Sequence, residues 1–193
     1  MSTKIKKSNG ISIYKKSIKP ELCQTLIKLY KDNKDSALLE IEDYVDDMSQ
    51  GCNVRSKYIM TQHFPDIDSQ LLKIMESIAT KAVQANSFLQ CSGDCGYQLR
   101  EIYGATRLHA DQVWDVNHPY KVKTVAVILA LNSDYEGGKF YFPFQDYKVK
   151  LKQGDAIVFP AAHTHPHQVS SPKNGTVRYT INTWFHAMPH DKT

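Results

Sequence analysis

The chain has 193 residues, 41% of them hydrophobic and 23% charged, with a formal net charge of +4. These values suit one soluble globular domain with a sizeable core and exclude a collagen-like, disulfide-dense or wholly disordered polymer. No apolar run approaches the roughly 20 residues of a membrane span. In chain order, the first twenty residues hold six lysines (Lys4, Lys6, Lys7, Lys15, Lys16, Lys19) and no acid. Such a run attracts acidic partners or, more commonly, forms a solvated arm, and the solvated arm is the expectation for residues 1–10. The N-terminus lacks the apolar h-region of a secretory signal, so a cytoplasmic location is expected. Ile11–Tyr14 alternates like a short strand. Pro20 fits the first position of a helix, followed by apolar Leu22, Leu26, Ile27 and Tyr30 at helical spacing. Asn53 to Thr61 reads as extended. Asp66 or Asp68 is expected to cap a second helix, with the stripe Leu71, Leu72, Met75, Ile78, Ala79 and Val83.

After Cys95 the period becomes strand-like. Tyr97–Tyr103, Arg107–Asp111, Val122–Leu131, Lys139–Phe144, Ala156–Phe159 and Val177–Phe185 are rich in β-branched and aromatic residues. Turn signals separate them at Gly104, Asn132-Ser133-Asp134, Gly137-Gly138, Gly154-Asp155 and Lys173-Asn174-Gly175. Helices followed by many short strands predict an α+β, mainly β chain: a two-sheet jelly roll with the N-terminal helices packed on one outer face. The expected organisation is one domain over 1–193, with the basic arm at 1–10, a helical support region at 11–95 and the jelly-roll core at 96–187.

His109-Ala110-Asp111 carries the chemistry. Residues two apart on a strand share a face, so an imidazole nitrogen and a carboxylate oxygen can reach one metal ion. A further histidine would complete two histidines and one carboxylate, the set that marks non-haem Fe(II) oxygenases. His163, His165 and His167 are the available partners. Cys91-Ser-Gly-Asp-Cys95 lacks CxxC spacing, and a loop pair able to oxidise is expected rather than a zinc site. No GxGxxG, P-loop or GxSxG motif is present.

Five segments occur in order: Tyr97-Gln-Leu-Arg-Glu-Ile-Tyr103 with His109-Ala-Asp111, Thr124–Asn132, Tyr135-Glu-Gly-Gly-Lys-Phe-Tyr-Phe-Pro143, Gly154-Asp-Ala-Ile-Val-Phe-Pro160, and His167 through Arg178 to Trp184-Phe185. Together they resemble the 2-oxoglutarate/Fe(II)-dependent dioxygenases, and most closely the prolyl 4-hydroxylase-like branch, with Pro20–Ile27 similar to that branch's first helix. The resemblance covers most of residues 11–187. It implies a double-stranded β-helix whose open mouth holds Fe(II). It also implies a reaction in which O₂ and 2-oxoglutarate are consumed, succinate and CO₂ are released, and a substrate C–H bond is hydroxylated, with ascorbate as reductant. By this resemblance His109, Asp111 and His167 hold the metal; His167 matches best, shortly before a Pro/Gly turn and eleven residues before Arg178 against the family's ten or so, and His165 is the runner-up. Arg178 binds the distal carboxylate of 2-oxoglutarate, because a planar guanidinium matches a carboxylate bidentately. Tyr103 resembles the tyrosine that donates to the same carboxylate, with a core aromatic as the other reading. Thr124 and Trp184 are weaker pocket candidates, read first as packing residues.

The implied substrate is a peptidyl residue, proline first, with a polypeptide as partner. Trp114 and Tyr120, in the loop 112–120, are candidates to stack on it, and the stretch 43–57 can also border it. Three alternatives remain: a hydroxylase of a free amino acid or other small molecule, a nucleic-acid demethylase, and a non-catalytic jelly-roll binding module. Tryptophan at position 184, where nucleic-acid demethylases carry a second arginine, argues against nucleic acid. An intact set of His109, Asp111, His167 and Arg178 argues against the module.

Overall fold

Pro20 opens the first helix because its missing N–H would be unsatisfied there in any case. In the computed structural model, which describes residues 9–36, 38–41, 54–59, 61–87, 89, 91–112 and 122–187, that helix is α1, Pro20–Asn33. The second, α2, spans Pro65–Ala85. Its N-cap position is Phe64, with no side-chain cap; Asp66 and Asp68 lie in the first turn instead. Proline at the first helical position displaced the expected aspartate cap inward, where the carboxylates favour the positive end of the helix dipole.

Eleven strands are described: β1 Ser12–Tyr14, β2 Leu39–Ile41, β3 Val54–Ile59, β4 Tyr97–Ile102, β5 Thr106–His109, β6 Lys123–Ala130, β7 Phe140–Phe142, β8 Tyr147–Val149, β9 Ala156–Pro160, β10 His167–Val169 and β11 Arg178–His186. They form a seven-stranded sheet in the order β1-β9-β6-β11-β4-β3-β2 and a four-stranded sheet in the order β5-β10-β7-β8. All pairings are antiparallel. Chain neighbours are mostly not sheet neighbours, which is the crossover pattern of a jelly roll. The fold is the expected double-stranded β-helix, mainly β.

Alternation along β6 and β11 divides the core in two. Val125, Val127, Leu129, Ile181 and Phe185 face the helices, meeting Leu26, Tyr30, Leu71, Met75 and Ile78. Ala126, Ile128, Ala130 and Trp184 face the space between the sheets, with Phe140, Phe142, Ile157 and Phe159. The small alanines on β6 leave room inside the roll. The arm 1–8, the stretch 42–53 and the loop 113–121, which includes Trp114 and Tyr120, lie outside the described residues.

Candidate metal centre and co-substrate pocket

β5 ends at His109 and β10 begins at His167, and the two are direct partners across the antiparallel ladder. Their ring centroids are 4.4 Å apart. The strand ends at His109, two residues earlier than the sequence pattern suggests, and Asp111 falls in the bend after it. It still turns toward the pair: its Oδ1 is 3.2 Å from His109 Nε2 and its Oδ2 is 4.0 Å from His167 Nε2. One ligand-capable atom from each residue lies within 4.8 Å of the others, the one such group among the described residues.

Each imidazole is oriented by a backbone carbonyl. His109 Nδ1 lies 2.7 Å from the Arg107 carbonyl and His167 Nδ1 lies 3.3 Å from the His165 carbonyl. With Nδ1–H donating there, each Nε2 keeps its lone pair for a cation, the usual outer-shell device of metal-binding histidines. Asp111 Oδ2 is buried and has no hydrogen-bond partner. A buried carboxylate oxygen of this kind costs energy unless a cation or donor reaches it. The donor set of two nitrogens and one oxygen on one side of the site fits Fe(II).

The charges agree with this geometry. Burial works against ionised Asp111, yet the His109 hydrogen bond, the His167 and His109 charges and the Trp184 indole hold its pKa at about 2. Burial pushes His167 down to about 4, so it is neutral near pH 7. For His109 burial acts downward, but the bond and charge of Asp111 together with the Arg107 carbonyl raise its pKa.

His165 goes elsewhere. Its Nε2 bonds the Asn9 carbonyl at 2.8 Å and its Nδ1 meets Thr164 Oγ1 at 2.9 Å, tying down the chain before β1. His163 is exposed.

Arg178 starts β11 and is buried, its guanidinium 5.3 Å from the Phe140 ring centroid. Its Nε has no partner, and no described carboxylate pairs with it. Burial lowers its pKa to about 10, still far above neutrality, while Tyr135 favours the charge. A buried cation facing the interior is a place for an anion. Gly138 makes the cradle: at φ +60°, a Cβ there would meet the Tyr135 ring at 2.5 Å and Arg178 Cδ at 3.3 Å. Tyr103 directly follows Ile102, the ladder partner of Arg178, and is 41% exposed. Buried Tyr135 is the tyrosine beside Arg178. Sequence reasoning gave Tyr135 no role, although it stands two residues before the Gly137-Gly138 turn that seats it.

Two other inward residues escaped notice. Arg100 places two guanidinium nitrogens, Nε and Nη2, 3.0 and 2.6 Å from Gln98 Oε1 and stacks 5.6 Å from the Trp184 ring centroid. Lys123 Nζ lies 3.9 Å from the same centroid. Trp184 thus carries two cations against its ring besides packing in the inner core. Thr124 Oγ1 donates to the Phe185 carbonyl at 3.0 Å. Cys91 and Cys95 are free thiols, with Cys95 Sγ 3.0 Å from His186 Nε2.

Residues 97–186 match the family described as the 2OG-Fe(II) oxygenase superfamily. The likeness within it is to prolyl hydroxylases. Prolyl 3-hydroxylase 1 of Gallus gallus is 34% identical over 85 residues, a match covering 40% of this chain and 12% of that protein. The chain therefore aligns with only about an eighth of that curated relative. The viral collagen prolyl hydroxylase of Paramecium Bursaria Chlorella virus-1, solved with 2OG, superposes with a TM-score of 0.70 at 16% identity, covering 94% of this chain and 97% of that one. A Trichoplax adhaerens prolyl hydroxylase, solved with a hypoxia inducible factor peptide, gives a TM-score of 0.71 at 15% identity, covering 92% and 84%. Among the described residues no helix is long and apolar enough to cross a membrane.

Proposed function

We propose that the chain is a 2-oxoglutarate- and Fe(II)-dependent dioxygenase that hydroxylates a peptidyl residue, proline first, releasing succinate and CO₂. The observation that carries this is the convergence of His109, Asp111 and His167 across β5 and β10, within a segment that matches the 2OG-Fe(II) oxygenase superfamily. His109 and His167 offer their Nε2 atoms to the metal and Asp111 its unpartnered Oδ2. Arg178 holds the distal carboxylate of 2-oxoglutarate, with Tyr135 and Tyr103 as the two tyrosines proposed to donate to it. Bound Fe(II) with O₂ and 2-oxoglutarate supplies the oxidising chemistry, and ascorbate serves as reductant. The protein's part is to hold the metal in one open-sided arrangement, orient the co-substrate from Arg178, and exclude water with the apolar walls of Phe140, Phe142, Phe159 and Trp184.

A polypeptide substrate is favoured by the prolyl hydroxylase likeness. Trp114 and Tyr120, in the segment 112–120, are proposed to face the substrate. The protein is proposed to act in the cytoplasm as a single catalytic domain. The test is incubation with proline-rich peptides, Fe(II), 2-oxoglutarate and ascorbate, with succinate and a gain of one oxygen atom in the peptide measured together. Peptide-stimulated succinate with an oxidised proline is expected. Stimulation by free proline or methylated DNA, with none by peptides, overturns the substrate reading.

A further inference from the structure

We infer that Lys123 is a substrate-selecting residue that reads a carboxylate on the substrate beside the hydroxylated position. This rests on the proposed function and adds to it the charge of the substrate.

Regular alternation places Val125, Val127 and Leu129 of β6 on the helix side. Lys123 shares their parity, so a regular strand would send it toward the helices. The ladder slips instead: Phe185 pairs with Val125, but the next residue, His186, pairs with Lys123. Thr124 is the extra residue, bonded to the Phe185 carbonyl. Such irregularities re-aim a side chain at a strand end. Here the result is an ammonium 3.9 Å from the centroid of Trp184, a ring that is only 4% exposed. Trp184 shares the inner core with Phe142 and Phe159, the two rings packed on His167. Lys123 therefore stands against the same aromatic core that carries the metal-ligating His167, at the N-terminal end of β6.

Charge gives the second argument. In the proposed complex the charges of Fe(II), Asp111, 2-oxoglutarate and Arg178 cancel. Lys123 and Arg100, both against the Trp184 ring, are then added cations, and among the described residues no carboxylate lies within ion-pair distance of Lys123. The ring beneath it attracts the ammonium but leaves its outward N–H donors for a ligand. A neutral prolyl substrate would leave this charge unmatched. An acidic side chain next to the target, or a free C-terminal carboxylate on it, would match it.

The test uses the full chain loaded with Mn(II) and 2-oxoglutarate under argon, so that binding is read without turnover. The probes are acetylated, amidated peptides with proline flanked by glutamate, by its neutral isostere glutamine, or by lysine, on either side. A further probe ends in proline with a free carboxylate. Calorimetry is expected to show one carboxylate peptide binding about tenfold more tightly than its neutral counterpart, the scale of one charge-assisted hydrogen bond. Which peptide wins identifies the source of the carboxylate. In Lys123→Met the ratio is expected to fall to near one, and in Lys123→Glu the lysine peptide is expected to overtake. Each ratio is internal to its variant, so a general loss of affinity does not imitate the result. Equal binding of glutamate, glutamine and free-carboxylate peptides by the wild type, or a ratio preserved in Lys123→Met, overturns the inference. Replacing proline by alanine in the preferred peptide and assaying oxidation with Fe(II) reads the proposed proline chemistry separately.

Discussion

His109 and His167 face each other across β5 and β10 as direct ladder partners, each ring pinned through Nδ1 to a carbonyl two residues earlier in its own chain segment. The same local bond, repeated on two antiparallel strands, turns both Nε2 atoms toward Asp111. The strand pairing thus supplies the spacing and the carbonyls supply the tautomer.

Metal affinity follows from this arrangement. His109→Ala, Asp111→Ala and His167→Ala should each weaken Mn(II) binding by more than about 100-fold, the upper end of what outer-shell changes alone cost. His165→Ala should retain binding while losing thermal stability, because it releases the Asn9 carbonyl. Calorimetric titration of Mn(II) checks all four. A His165→Ala protein without metal affinity, beside a competent His167→Ala protein, would exchange their assignments.

Co-substrate affinity should depend on Arg178. Truncation to methionine leaves the bound carboxylate without its buried cation and is expected to cost about 2–5 kcal/mol in 2-oxoglutarate binding, with little effect on Mn(II) binding. Lys at this position should recover part of the loss as a point charge without the planar fork. An unchanged 2-oxoglutarate KM in Arg178→Met removes Arg178 from the pocket.

How far this site was legible in the sequence depends on the range of the forces that build it. His109 and Asp111 declare themselves by spacing, because strand geometry is local. His167 needed the ordered motifs around it, since its pairing with His109 joins residues 58 positions apart along the chain. Helix α1 was legible from Pro20 and its apolar stripe. The short strands β2, β8 and β10 were not, because three residues carry too little periodicity to register. Lys123 could not be read at all: its orientation is set by a register slip between β6 and β11, and single-chain alternation predicts the opposite face.

The two tyrosines proposed for the 2-oxoglutarate carboxylate differ in burial. Tyr135 is 5% exposed and Tyr103 is 41% exposed. Tyr135→Phe and Tyr103→Phe are each expected to raise the 2-oxoglutarate KM several-fold, on the order of 1 kcal/mol for one hydrogen bond. A variant whose KM stays near the wild-type value in steady-state kinetics removes its tyrosine from the carboxylate. Gly138→Ala should reproduce the loss seen on altering Tyr135, because its Cβ meets the Tyr135 ring at 2.5 Å in a left-handed backbone conformation.

Alkaline stability provides a prediction away from the site. Cys23 is fully buried in α1, and burial raises its thiol pKa to about 11 from an ordinary value of 9.0. The folded state therefore holds this proton more tightly than the unfolded chain. The sign follows from proton counting: the stabilisation is complete below pH 9, shrinks between pH 9 and about 11, and is gone above that. A shift of about two units corresponds to roughly 3 kcal/mol at most, because one unit is worth about 1.4 kcal/mol. Denaturant midpoints measured from pH 8 to 11 should fall over this window. In Cys23→Ala the fall should be shallower, even though removing the buried sulfur lowers stability at pH 8. Iodoacetamide at pH 8 should leave Cys23 unmodified until the chain unfolds. Rapid alkylation of native Cys23, or an alkaline slope unchanged in Cys23→Ala, would show that this thiol is not held in the core by α1.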